Sequence, residues 1–270
     1  MKKTLTFVAV LMLAAAGAFA QATAPAAPQA EPPKTAADLI AAGDELFAKF
    51  DDKGALALYE QAAKLEPENF VALWKTAKGY IDVGDRMTPK NKAEEKKQID
   101  LYIVAEGYAK KAIKINPNDS QVHFLNSAAM GMHALQLGKK QQIAMSKEIK
   151  AEIEKSIELD PANDLAIHAF GRWQRRMAEI GGVTRFFGGI LYGSIPKGSF
   201  DEALKLFKKA IELKPNYSNH HLELGRTHLV MKKKDLASKE FELAIACPIS
   251  TSKCQDYIDE AKAELKKLKK

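Results

Sequence analysis

Three arginines pose the chemical question in this chain. Arg172, Arg175 and Arg226 fall in amphipathic stretches at spacings that bring them toward one helical face. A guanidinium fork grips a carboxylate or phosphate through two parallel hydrogen bonds. Two uses follow. Either the arginines hold an acidic group of a ligand, or they pair with acids on neighbouring helices such as Glu179 and Glu223. In the first case the group is a peptide carboxylate or a lipid headgroup, with its apolar part toward Trp74 and Phe124. His168 likewise has two readings: a hydrogen bond to the segment that follows it, or contact with ligand.

Other chemistries lack their residues. His220 and His221 project in different directions on a helix, and no carboxylate or cysteine joins them and His228 at ligand spacing, so no metal site is expected. The glycine-rich stretch 181–199 lacks the G-x-x-x-x-G-K-[ST] pattern of a phosphate loop. G-x-S-x-G, H-E-x-x-H and catalytic-cysteine arrangements are absent too, and the expectation is a non-enzyme without cofactor. Cys247 and Cys254 flank a turn containing Pro248. In an oxidising compartment they pair and staple the last helix to the body; otherwise they are two free, partly buried thiols.

The elements that must position these groups repeat. Lys64-Leu65-Glu66-Pro67-Glu68-Asn69, Lys114-Ile115-Asn116-Pro117-Asn118-Asp119, Glu158-Leu159-Asp160-Pro161-Ala162-Asn163 and Glu212-Leu213-Lys214-Pro215-Asn216-Tyr217 close successive helical stretches in the same way. Five residues before each proline stands Ala62, Ala112, Ser156 or Ala210. This is the close of a tetratricopeptide unit, a helix-turn-helix of about 34 residues. In residues 36–69, Gly43, Ala55, Tyr59, Ala62 and Pro67 occupy the unit's small, aromatic and proline positions; Leu224, Gly225, Ala237, Phe241 and Ala244 do so near the other end. Small residues let paired helices approach, and the aromatic ring fills the gap between them.

The expected fold is therefore an all-α solenoid of about five helix pairs over residues 37–270. Repeats fall near 36–69, 70–119, 120–163, 164–217 and 218–250, with a capping helix over 252–270. The proline spacings leave insertions of about 16, 10 and 20 residues inside the second, third and fourth repeats. The first two extend helices. The third, 181–199, mixes glycines with Phe186, Phe187, Ile190 and Leu191. It reads as a loop that plugs the solenoid, closes as a lid over a ligand, or dips into a membrane.

In stacked units the first helix of each pair lines the concave face. Helical spacing then places Trp74 and Lys78, Phe124, His168, Arg172 and Arg175, and Leu222 and Arg226 in the groove, running from apolar to basic.

Ahead of the repeats, Lys2 and Lys3, an apolar stretch from Leu5 to Ala16, and Ala18-Phe19-Ala20 before Gln21 make residues 1–20 read as a secretory signal peptide. Residues 21–36, with Pro25, Pro28, Pro32 and Pro33, read as an Ala/Pro-rich tether. No later segment is long and apolar enough to cross a bilayer, so the expected location is the periplasm or the outside. Loss of Lys2 and Lys3 lowers the formal charge from +7 to +5. Charges alternate along the helices, which marks solvated faces and argues against dedicated nucleic-acid binding.

With the fourth repeat in place, the chain resembles a known family. His168-Ala169-Phe170-Gly171-Arg172-Trp173 has the form H-x-x-G-x-W and follows Glu154-Lys155-Ser156-Ile157-Glu158-Leu159-Asp160-Pro161. Leu73-Trp74-Lys75-Thr76-Ala77-Lys78 lies upstream; Phe200-Asp201-Glu202-Ala203-Leu204 and Leu222-Glu223-Leu224-Gly225-Arg226-Thr227-His228-Leu229 lie downstream. This order is similar to that of the regulator of microtubule dynamics family of tetratricopeptide-like proteins. The resemblance implies the fold and a binding cavity. Two kinds of function are expected: an exported module that holds a protein or peptide partner in its groove, or a carrier of a small acidic or lipid ligand closed by 181–199.

Overall fold

The repeated proline turn sets the architecture. In the computed structural model, which describes residues 35–192 and 194–269 without the side chains of Val183, Phe186, Phe187 and Tyr192, helices end at Leu65, Ile115, Leu159 and Leu213, two residues before each proline. The N–H groups of Glu66, Asn116, Asp160 and Lys214 close onto the carbonyls of Ala62, Ala112, Ser156 and Ala210 at 2.9–3.0 Å. The next helix then begins at once. Asn69, Asp119 and Asn163 accept from the N–H of Ala72, Val122 and Ala166 at 3.0–3.1 Å. Each such N-cap stabilises its helix by about 1 kcal/mol. The fourth turn ends on Tyr217, which caps nothing with its side chain.

Twelve helices result among the described residues: α1 (Ala36–Ala48), α2 (Asp52–Leu65), α3 (Phe70–Asp85), α4 (Lys92–Ile115), α5 (Ser120–Ala134), α6 (Lys139–Leu159), α7 (Asp164–Glu179), α8 (Gly182–Tyr192), α9 (Phe200–Leu213), α10 (Ser218–Val230), α11 (Lys234–Ala246) and α12 (Cys254–Leu268). α1 pairs with α2, α3 with α4, α5 with α6, α7 with α9 and α10 with α11, and α12 caps the last pair. This is a tetratricopeptide-like helical solenoid. Thr35 and Asp38 form a reciprocal capping box at the start of α1, so helix begins where the tether was expected to end. The remainder of the expected signal and tether, residues 1–34, lies outside the described residues. No helix among the described residues is long and apolar enough to cross a membrane.

Close approach within pairs rests on glycine facing an aromatic ring. A Cβ on Gly43, Gly171 or Gly225 would fall 2.5, 2.9 or 2.6 Å from Tyr59, Phe207 or Phe241. Phe207 and Phe241 are fully buried, which stabilises the fold by about 1.5–3 kcal/mol each. Ser156 takes the small position in the third repeat, and its hydroxyl donates to Ser120 O at 2.7 Å.

The first two insertions lengthen helices: α4 has 24 residues and α6 has 21. The third differs from every reading of it as a loop. It contains α8, whose one helix neighbour among the described residues is α6, the second helix of the preceding repeat. Ile190 and Leu191 are each 69% exposed, so they plug nothing. The side chains of Phe186 and Phe187 lie outside the described residues. Arg185 pins the base of the insertion by donating to the carbonyls of Met177, Ile180, Ile195 and Pro196.

Candidate functional site

The first helices of the pairs carry two charged groups. Toward the N-terminal end, Asp44 on α1 accepts from Tyr59 Oη and from Lys75 Nζ, both at 2.6 Å. Lys75 Nζ also stands 4.8 Å from the Trp74 ring centre, a cation–π contact. Lys78 pairs with Asp82 at 2.5 Å, one turn further along α3, and lies 4.0 Å from the Phe47 ring centre. Trp74 is half-buried against two core clusters. Phe124, also half-buried, packs with the cluster of Ala77, Ile81 and Leu125. Burial raises the Asp82 pKa to about 6 despite the partly opposing Lys78. Burial raises Asp85 as well, and its Oδ1 accepts from Tyr102 Oη at 2.8 Å.

Toward the C-terminal end the charges interlock. Glu223 on α10, with 3% of its side chain exposed, accepts from Arg175 Nη2 of α7 and from Arg226 Nη1 at 2.9 Å. Arg226 Nη2 reaches on to Glu260 of α12 at 2.6 Å. Burial alone would raise the Glu223 pKa; Arg172, Arg175 and Arg226 outweigh it and hold the carboxyl at about 2. Of the two uses foreseen for the arginines, Arg175 and Arg226 take the pairing with Glu223. Arg172 and Arg176, one turn apart on α7, have no ion-pair partner within 4.0 Å among the described residues. Arg172 is half-buried and Arg176 is exposed.

Two expected groove residues lie elsewhere. Leu222 is fully buried in the core with Phe241 and Ala261. His168 is 5% exposed and reaches neither the insertion nor the groove surface. It packs edge-on against Phe207, and its Nδ1 lies 2.9 Å from His220 Nδ1. His220 Nε2 lies 2.9 Å from Asp164 Oδ2, so that nitrogen carries the proton and His220 Nδ1 accepts from His168. His168 Nε2 is left to accept from the Asn219 amide at 3.4 Å. Burial, then His220, holds the His168 pKa well below its ordinary value, which keeps this relay neutral. It is a structural joint between α7 and α10.

Cys247 and Cys254 are free thiols in this structure. Cys247 Sγ donates to Leu243 O at 3.3 Å, and Cys254 Sγ lies 3.2 Å from Thr251 Oγ1. Sequence reasoning omitted Arg176, although it stands four residues after Arg172 and therefore shares its face. It also omitted Lys75, which the cation–π contacts make part of the N-terminal group.

The family model for "Regulator of microtubule dynamics protein 1-3" matches residues 39–269. The chain belongs to the regulator of microtubule dynamics family. Among curated members, regulator of microtubule dynamics protein 1 of Mus musculus is 29% identical over 225 residues, 83% of this chain and 72% of that one. The Bos taurus protein of the same name is 33% identical over 174 residues, 64% of this chain and 54% of that one. Among solved structures, the thermophilic TPR protein TTC0263 of Thermus thermophilus superposes with a TM-score of 0.61 at 16% identity, covering 85% of this chain and all of that one. That likeness shows the fold. The family match extends past the fifth pair and through α12, so the cap is part of the shared family region.

Proposed function

We propose that this family member is an exported, non-enzymatic binding module that holds an acidic segment of a protein partner on its concave face. The observation that carries the reading is the surplus of guanidinium on α7. Arg175 and Arg226 are taken by Glu223, and Arg172 and Arg176 stand beside them without an ion-pair partner among the described residues. Two forks one helical turn apart suit carboxylates along an extended chain. Trp74, Lys78 and Phe124 supply the mixed apolar and basic ground toward the other end of the face. The carrier reading has less support, since among the described residues α8 lies against α6 and makes no contact with the first helices.

The test is charge reversal. Arg172→Glu with Arg176→Glu should abolish binding of a fluorescent oligoglutamate peptide, followed by anisotropy at low salt and at a temperature where circular dichroism shows the variant folded, since a carboxylate at 172 faces Glu223 and lowers the melting point. Unchanged binding by the folded double variant refutes the reading. Export is tested separately: N-terminal sequencing of the protein from the native cell envelope should begin at Gln21.

A further inference from the structure

The cap does more than cover the last repeat. Tyr257, Ile258, Ala261 and Leu265 of α12 pack on α10 and α11. The segment that leads into α12 also crosses to the second repeat. Arg86, at the end of α3, donates to Ser252 O and lies 3.4 Å from Asp256. Lys253 donates to Asp85 O and lies 3.3 Å from Asp256. Residues up to 170 apart in sequence are joined here, yet the backbones of α3 and α12 do not pack on each other.

The crossing is built to release. Arg86 and Asp256 keep 43% and 41% of their side chains exposed, and partly exposed pairs weaken as salt rises. Lys253 precedes α12 without a side-chain cap, so the first turn of that helix is held by backbone bonds onto Thr251 and Lys253 alone. The later turns are anchored independently by apolar burial and by Arg226–Glu260.

We infer that residues 252–256 are a strap that ties the cap to the second repeat and opens when Arg86 and Lys253 let go. Resting on the proposed function, the inference names what opens it: an acidic segment offers carboxylates to Arg86 and Lys253 in place of Ser252, Asp256 and the Asp85 carbonyl. Binding and opening are then one equilibrium.

Cys254 reports on the strap without any partner. It is fully buried at the start of α12. In a Cys247→Ser background, the rate at which Cys254 reacts with a disulfide thiol reagent measures the open fraction. Arg86→Ala with Lys253→Ala should speed labelling by about tenfold, the effect of losing two exposed charged contacts. The melting temperature should stay close to the parent's. Added sodium chloride should speed labelling in the parent and have little effect in the variant. Oligoglutamate should speed labelling beyond sodium chloride of equal ionic strength. Equal labelling rates in parent and variant refute the strap whether or not the peptide binds. A strap that opens with salt and in the variant, with no binding of oligoglutamate, refutes the acidic-segment reading and leaves the strap standing.

Discussion

Asp82 on α3 and Glu223 on α10 are both crowded carboxylates on first helices of their repeats, and their acidities move in opposite directions. Burial pushes each upward. Asp82 has Lys78 to offset burial, with Asp52 and Asp85 adding repulsion, and its pKa climbs to about 6. Glu223 has Arg172, Arg175 and Arg226, and it falls to about 2. The same fold thus holds one acid at a cost to stability and another at a gain. The number and sign of neighbouring charges decide which.

The most damaging way to break this contrast is Glu223→Gln. It leaves buried Arg175 with only the half-exposed Glu179 at 3.8 Å, and unfolding in denaturant should show a loss of about 3 kcal/mol. Acid should do the same work progressively. A carboxylate depressed in the folded state contributes stability that is complete above its unfolded pKa, 4.5, and is lost as the folded value near 2 is approached. Unfolding free energies measured between those pH values should therefore fall for the parent by about 3 kcal/mol more than for Glu223→Gln.

Asp82→Asn should act the other way and more weakly. The folded protein keeps the Asp82 proton up to a pH of about 6, while the unfolded chain releases it near 3.8. Between these values stability falls as pH rises, so the asparagine variant should be more stable at pH 7 by about 1 kcal/mol after solvent screening and the loss of the Lys78 pair. That gain should vanish below a pH of about 4. A stabilisation by Asp82→Asn that is equal at both ends of this range would show that the carboxyl is not raised. The smallest effect should come from Arg176→Ala, an exposed guanidinium with no ion pair among the described residues: within about 0.5 kcal/mol in thermal melts.

Much of the fold was legible because its signals are local. Pro67, Pro117, Pro161 and Pro215 each end a helix, and the polar residue two positions later caps the next in three of the four turns. Gly43 with Tyr59 and Gly225 with Phe241 announce helix pairs within one unit length. The face of a helix is harder to read than its existence. Neighbouring positions differ by about 100° around the axis, so a single position template mixes surface with core. It correctly grouped Arg175 with Glu223 as one of two options, yet it also placed Leu222 and His168 in the groove. The glycines at 181, 182, 188 and 189 favoured a loop over α8, because each disfavours helix by about 1 kcal/mol relative to alanine. The apolar residues at 186, 187, 190 and 191 were the contrary signal, since they recur with helical spacing. The strap had no sequence signal at all. Arg86 and Ser252 are 166 residues apart, and no periodicity relates them.

That distance bears on how the molecule comes apart. A stack of repeats coupled only to nearest neighbours can lose its ends piecemeal. Here the bridge from Arg86 to the segment before α12 encloses α4 through α11 in a loop fastened at both ends. Inside it, the opening of one repeat is opposed by a partner far away in sequence, while α1 and α2 remain outside. At low salt, with the bridge closed, amide hydrogen exchange should therefore divide the solenoid into a first repeat that opens alone and a remainder that opens together, a division that fades as salt releases the bridge.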